Sequence, residues 1–420
     1  MPVSPTPDES YYWEVVEAYQ RAELEILQQI RDRLARGVTL DDQTWATQRL
    51  AEVQTMRRQA IATLAGVNRT QAGRITAALT NAYADGGLTA LLDTEKYHRG
   101  RPTAVSSATR QASVGAVARE LSSRLAEGMP AILRAAEDGY RSVVASVVQK
   151  VLAGGIDRRT ATTQALQNAY GQGLRVGPGG RMSLPDYVTM AVRTGVAKAA
   201  IEGHTDTLGA NGIDLVYILP GPRHCELCDD WANRPLWRVS GPTGEVQVDS
   251  VTDTGTRRVR VYGSLNDARA AGWGHPNCRC RVGAYLPGAS QLPTPRDGQS
   301  AKDKREYEAQ QVQRGIERKI REWKIRRTLT VDPVSDAKAA AKIKSWQEAQ
   351  RAHLQANPYL KRQYDREQPS KVQPPEERKA SDPNNVDFRS MTNAQKLEAA
   401  RRMYGEDSAQ FRAAQKRWAA

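Results

Sequence analysis

The chain has 420 residues, 26% of them charged and 40% apolar, with a formal net charge of +14 and a pI near 9.7. That is too apolar for a wholly disordered chain, and with only two phenylalanines, Phe388 and Phe411, a large conventional β core is excluded. The positive balance favours acidic partners, either nucleic acid or an acidic protein surface, and no apolar run approaches the roughly 20 residues that span a bilayer.

The N-terminal "MPVSPTPDESYYWEVVEAY" lacks the basic n-region and apolar h-region of a signal peptide, so synthesis in the cytosol is expected. Residues 12–36 read as an amphipathic helix, with Val16, Tyr19, Leu27, Ile30 and Leu34 on one face and Gly37 as its stop. Thr39 and Asp42 resemble a second helix start, followed by the stripe Leu50, Val53, Ala60 and Leu64. Residues 67–93 and 105–154 continue as helices, expected to break at Gly86-Gly87 and Gly154-Gly155. "DRRTATTQALQNAYGQGL" adds another helix, and a further one begins near Pro185. Gly177, Gly179 and Gly180 read as a turn. A phosphate loop would need a preceding strand and a following Gly-Lys-Ser/Thr.

The character changes at Ile213. "IDLVYILP" is a strand-like run, "GEVQVDSVTDTGTRRVRVYG" alternates about a turn like a hairpin, "SLNDARAAG" is a short helix capped by Ser264, and "CRCRVGAYLP" closes as a strand. Beyond Pro287 a linker leads to a basic region. Residues 291–420 hold 28 Lys/Arg against 18 Asp/Glu, a net of +10. "KREYEAQQVQRGIERKIREWKIRR" forms a basic amphipathic helix with Tyr307, Val312, Ile316, Ile320 and Trp323 on one side. A second helix over about 336–355 carries Ile343, Trp346 and Leu354. "REQPSKVQPPEERKASDPNN" has a disordered composition, and a last helix is expected from about Thr392. The fold class is therefore mainly α with a small α+β zinc-type module. It divides into a helical N-terminal region, 1–184; a module, 185–288; and a basic, partly disordered helical tail, 289–420.

All four cysteines lie in the module, at Cys225, Cys228, Cys278 and Cys280. A reducing cytosol argues against structural disulfides and for metal or redox use. A Cys-x-x-Cys turn holds two sulfurs within about 4 Å, a bite suited to tetrahedral zinc. The remaining ligands come from His275, Cys278 and Cys280. Either four thiolates bind, or Cys225, Cys228 and His275 bind with one of the last two cysteines, and spacing does not choose. Such a closed site is structural, because metal binding is coupled to folding of a module with little apolar mass. Thiol redox chemistry lacks a thioredoxin-like context, while disulfides suit an extracellular particle. His224, Cys225 and Glu226 match half of a zinc deaminase motif, but "PNCRC" does not supply its P-C-x-x-C half. His98, His204 and His353 stand alone and read as surface or packing residues.

"CELCDDWANRPLW" followed by "GWGHPNCRCRVGAYLPG" resembles the signature of MuF-like minor capsid (head morphogenesis) proteins of tailed bacteriophages. "YVTMAVRTGVAKAA", with Arg193 and Thr194, resembles the helix that leads into it, and "QRGIERKIREWK" and "LKRQYDREQ" resemble the basic tail of the phage minor capsid type 2 branch. The resemblance spans about 185–370. It implies a structural virion component in few copies, made in the host cytoplasm and placed with the portal and inner capsid. There it would act in head assembly and in DNA packaging or delivery. Portal and capsid proteins are the implied partners, with packaged DNA contacted through the basic tail and neither membrane nor small-molecule substrate involved. Some relatives carry a protease or toxin domain. The segment after Pro287 has no cysteine and one histidine, so no enzyme activity is expected. A DNA-binding regulator using the zinc module is the alternative from another class, although the spacing is not that of a base-reading zinc finger. A zinc-dependent nucleic-acid enzyme is the third.

Overall fold

A computed structural model describes residues 12–37, 41–97, 102–153, 156–176, 182–220, 228, 230–276, 278, 280–292 and 301–369. The helical body is built from α1 (Trp13–Leu34), α2 (Asp42–Ala51), α3 (Val53–Thr94), α4 (Ser107–Leu152), α5 (Arg158–Tyr170) and α6 (Leu184–Ala210). The five apolar residues expected along α1 are all buried. The start of α2 is fixed by Asp41, whose carboxylate accepts the Thr44 N–H at 2.9 Å, satisfying an otherwise orphaned donor. The interruption at Glu52 rotates the apolar face, so Leu50 points to solvent while Trp45, Val53, Met56, Ala60 and Leu64 pack inward.

Gly86 and Gly87 do not break the second long helix; α3 runs through them. A Cβ at Gly86 would lie 1.9 Å from the Ala200 carbonyl oxygen, and one at Gly203 would lie 1.9 Å from that of Tyr83. The absence of side chains here lets α3 and α6 touch backbone to backbone, which outweighs the propensity cost of mid-helix glycine. The Gly154-Gly155 break, the Gly177–Gly180 turn and Thr39 lie outside the described residues. The short antiparallel pair β1 (Arg175–Val176) and β2 (Met182–Ser183) flanks that turn.

The α+β module follows as expected. Strands β3 (Leu215–Leu219), β4 (Pro235–Trp237) and β7 (Arg281–Ala284) form one sheet in the order β4-β3-β7, antiparallel throughout. The hairpin β5 (Gly244–Asp249) and β6 (Thr256–Val261) stands beside it. Helix α7 (Leu265–Ala270) starts with a reciprocal capping box between Ser264 and Asp267. The module's core (Val216, Ile218, Leu236, Leu265, Trp273, Val282) is continuous with Ala90 of α3 and with Ile201 and Leu208 of α6.

The C-terminal part is docked on the body. Helix α8 (Ala301–Thr328) turns back into α9 (Pro333–Ala356) and a 3-10 turn at Tyr364–Glu367. Ile325 and Leu329 join the helical core, so that core draws on all three segments expected from the sequence. Ile316 and Ile320 are buried; Tyr307 and Val312 are exposed; Ile343, Trp346 and Leu354 are half-buried. Glu23 of α1 is buried at the joint. It accepts the Leu174 N–H at 2.9 Å and one Arg321 N–H at 3.0 Å, and Arg321 also donates to Ser183 Oγ at 3.1 Å. Gly173, at φ +79°, leaves room for that carboxylate, since a Cβ there would lie 2.6 Å from Glu23 Oε1. Burial pushes Glu23 up to about 7, against the pull of Arg321 and the Leu174 amide. The chain from Ser370 onward, including the helix expected at Thr392, lies outside the described residues.

Candidate metal centre

The sheet register brings the two cysteine segments together. Antiparallel pairing sets Leu219, the last residue of β3, opposite Arg281, the first of β7. The chain leaving β3 toward Cys228 and the chain entering β7 from Cys280 therefore meet at one end of the sheet. The second segment is shaped by glycine: Gly272 and Gly274 take φ of +101° and +78°, values that other residues rarely adopt. Between them the Trp273 N–H donates to the Ala268 carbonyl at 2.9 Å, tying the turn to the end of α7. The Cys278 N–H donates to the His275 carbonyl at 2.9 Å, closing a four-residue turn with both side chains on the same loop.

Cys228, His275 and Cys278 converge, each offering a ligand atom within 4.8 Å of the others. The Cys228 and Cys278 sulfurs are 3.8 Å apart. This is far beyond the roughly 2.05 Å of a disulfide and equal to the edge of about 3.8 Å that a tetrahedron with bonds of about 2.3 Å would have. The His275 Nδ1 lies 2.9 Å from the Pro276 carbonyl, which can only accept; Nδ1 thus carries the proton and Nε2 keeps its lone pair. Two thiols and an imidazole make an N/S donor set of the kind that zinc takes, so this group can hold a metal ion. Cys280 is buried and within hydrogen-bonding reach of both Cys228 and Cys278. The three sulfurs share hydrogen bonds, so the Cys228 and Cys278 thiols titrate as a coupled pair, with one proton held between them more tightly than in a free thiol and the other released more readily. Of the five residues singled out in the sequence, Cys228, His275 and Cys278 form the convergent group, Cys280 lies beside its two cysteines, and Cys225 lies outside the described residues.

The half-motif His224, Cys225 and Glu226 also lies outside them, as does His98. His204 is fully buried on α6, its Nε2 3.4 Å from Asp93 Oδ2, and burial pushes its pKa down to about 3. His353 packs α9 on α8 with its Nε2 2.8 Å from the Ala309 carbonyl.

The profile of the family described as phage minor capsid protein 2 matches residues 4–355. The chain belongs to that family. Comparison with curated proteins and with solved structures finds no match. As a member of a phage minor capsid family it is a structural virion component that assembles with other virion proteins, and among the described residues no helix is long and apolar enough to cross a membrane. In this minor capsid protein, a cleft of about 300 Å³ that the sequence reading missed adjoins the cysteine turn, between α4, α6 and residues 269–280. Arg193 and Thr194 stood out in the sequence only as part of a resemblance. The signal that they share a face with Lys198 and Ile201 was their spacing of about one and two helical turns.

Proposed function

We propose that this protein sits with the portal and inner capsid of a tailed phage head and acts there, without enzymatic activity, in head morphogenesis and in DNA packaging or delivery. The observation that carries the reading is the family match over 4–355, which takes in the helical body, the cysteine module and the docked C-terminal helices together. The arrangement suits a docking part: long helices offer extended faces, the module packs on α3 and α6 through a shared apolar core, and its own two cysteine segments are stapled to each other. We further propose that the staple is one zinc ion bound by four of Cys225, Cys228, His275, Cys278 and Cys280. The convergence of Cys228, His275 and Cys278 supports this, and bound zinc would supply cross-linking energy rather than reactivity. The basic residues, densest after residue 301, would face packaged DNA or an acidic neighbour.

Cross-linking mass spectrometry on purified virions tests the placement. Abundant cross-links between this chain and the portal protein are expected; a chain present in assembly intermediates but absent from finished virions would overturn it.

A further inference from the structure

We propose that the cysteine centre is redox-responsive: in the released particle a hydroperoxide entering by the adjoining cleft oxidises Cys278, and Cys228 closes on it in a disulfide that takes over from the metal as the staple between the two segments. The inference deepens the metal reading above and rests on it only for the ion that is released; the sulfur chemistry needs no ion.

Three sulfurs meet here. Those of Cys228 and Cys278 lie 3.8 Å apart, and Cys280 is within hydrogen-bonding reach of both. None of the three is in a disulfide. Their access differs. Cys228 is 1% exposed, whereas Cys278 is half-buried and lines the cleft of about 300 Å³ beside the turn. Cys280 lines that cleft too but is only 2% exposed. A space of that size admits a molecule as small as hydrogen peroxide, so Cys278 is the sulfur that a dissolved oxidant meets first. Exposure selects which thiol is oxidised, and a resolving cysteine beside it captures the product before it is lost to irreversible acids.

The step balances. The Cys278 sulfur attacks one peroxide oxygen, the O–O bond breaks, the sulfur keeps one OH, and the other oxygen leaves as water with the thiol proton. The Cys228 sulfur then attacks Cys278; the S–S bond forms, the S–O bond breaks, and the OH leaves as water with the second proton. Two sulfurs give up two electrons, and the peroxide is reduced to two waters. An ion held there is released, since two of its donors are consumed, and solvent then supplies the two protons. Closing from 3.8 Å to the roughly 2.05 Å of a disulfide needs a shift of under about 2 Å, and the cleft leaves the Cys278 side chain room to turn. A Cys278–Cys280 bond would close a ring across one intervening residue, where short loops resist closure, while Cys228 to Cys278 spans 50 positions and joins the two segments that the metal would join. A virion component is made among reducing thiols and leaves them with the finished particle, so one set of sulfurs serves both conditions.

The test treats the purified full chain, prepared under reductant and assayed for zinc, with hydrogen peroxide, then alkylates it and maps the linkages by mass spectrometry. Trypsin cuts after Arg279, so Cys278 and Cys280 fall on separate peptides, and a protease cutting after Glu226 separates Cys225 from Cys228. A Cys228–Cys278 linkage is expected as the main product, with loss of the ion in step with it and reversal by dithiothreitol. Virions alkylated before any reductant should carry the same linkage. A Cys278–Cys280 linkage, irreversible oxidation of Cys278 without a linkage, thiols that survive peroxide in the folded chain, or fully reduced cysteines in virions each overturn the proposal. A chain that holds no zinc yet forms the Cys228–Cys278 linkage refutes the metal reading and supports this one; a chain that holds zinc and forms no linkage does the reverse.

Discussion

At the scale of single residues, the cysteine–histidine group and His204 make opposite kinds of prediction. For the group, mass action sets the magnitude: a metal present at about a thousand times its Kd stabilises the folded state by about 4 kcal/mol. Purified protein should contain about one zinc per chain by elemental analysis. Exhaustive chelation should lower the unfolding free energy by an amount of that order, seen as a clear fall in melting temperature, and Cys228→Ser should lose both the metal and the sensitivity to chelator. His204 concerns pH. Its folded pKa of about 3 lies below the roughly 6.5 of an unfolded histidine. The unfolded chain therefore binds the extra proton between those values, and stability falls as pH falls through that window. The loss should be about 2 kcal/mol between pH 7 and 5. Glu23, raised to about 7, has the reverse sign: its contribution is full below about 4.5 and fades as pH rises through 7. The His204 effect is thus the difference in pH slope between wild type and His204→Gln in urea titrations, and parallel slopes would refute it.

At the scale of elements, two joints decide the architecture. The α3–α6 contact depends on Gly86 and Gly203, where an added methyl would meet a carbonyl oxygen at 1.9 Å. Backbone cannot swing aside as a side chain can, so Gly203→Ala should cost about 3 kcal/mol or more, at the top of the range for overpacking. Gly66→Ala, which meets nothing within 4 Å, should be neutral or stabilising in the same thermal melt. The second joint is Glu23–Arg321, which fastens α8 to α1 and to the β2–α6 corner. Removing Arg321 takes away the cation that favours the Glu23 carboxylate, so the buried carboxyl takes up a proton; Arg321→Met should destabilise by about 1.5–3 kcal/mol at neutral pH, the loss of one charged hydrogen-bonded pair, and by less at low pH. Glu23→Gln with Arg321→Met should recover part of that loss, because no proton uptake is then needed.

For the whole molecule the charge distribution matters most. Residues 301–369 hold 17 Lys/Arg against 10 Asp/Glu, a net of +7, half of the chain's +14, and 14 of the 17 basic residues lie on two helices fixed to the body. A basic surface held rigidly can match phosphate spacing without ordering a flexible tail first. If it faces DNA, affinity should ignore sequence and fall about a thousandfold between 50 and 200 mM salt for about six phosphate contacts. A chain truncated after Pro369 should retain most of that slope in fluorescence anisotropy. An affinity indifferent to salt would assign the basic surface to acidic capsid neighbours instead.

The helical class, the module's strands, the Ser264 cap and the candidate ligands could be read locally. Periodicity, turn residues and Cys/His spacing report on neighbours a few positions apart, and Ser264 with Asp267 is such a pair. Leu50 and Gly86 were misjudged because their fates depend on a phase shift at Glu52 and on the backbone of α6, neither of which a local pattern records. What the amino-acid order determined by itself was the set of elements and the chemistry available to them. What only the tertiary structure decided was which groups meet: β3–β7 register bringing Cys228 to His275 and Cys278, Arg321 reaching Glu23 across 298 positions, and four cations gathered around one cleft. Those encounters depend on long-range packing, in which residues far apart in the chain are selected by shape and burial rather than by spacing.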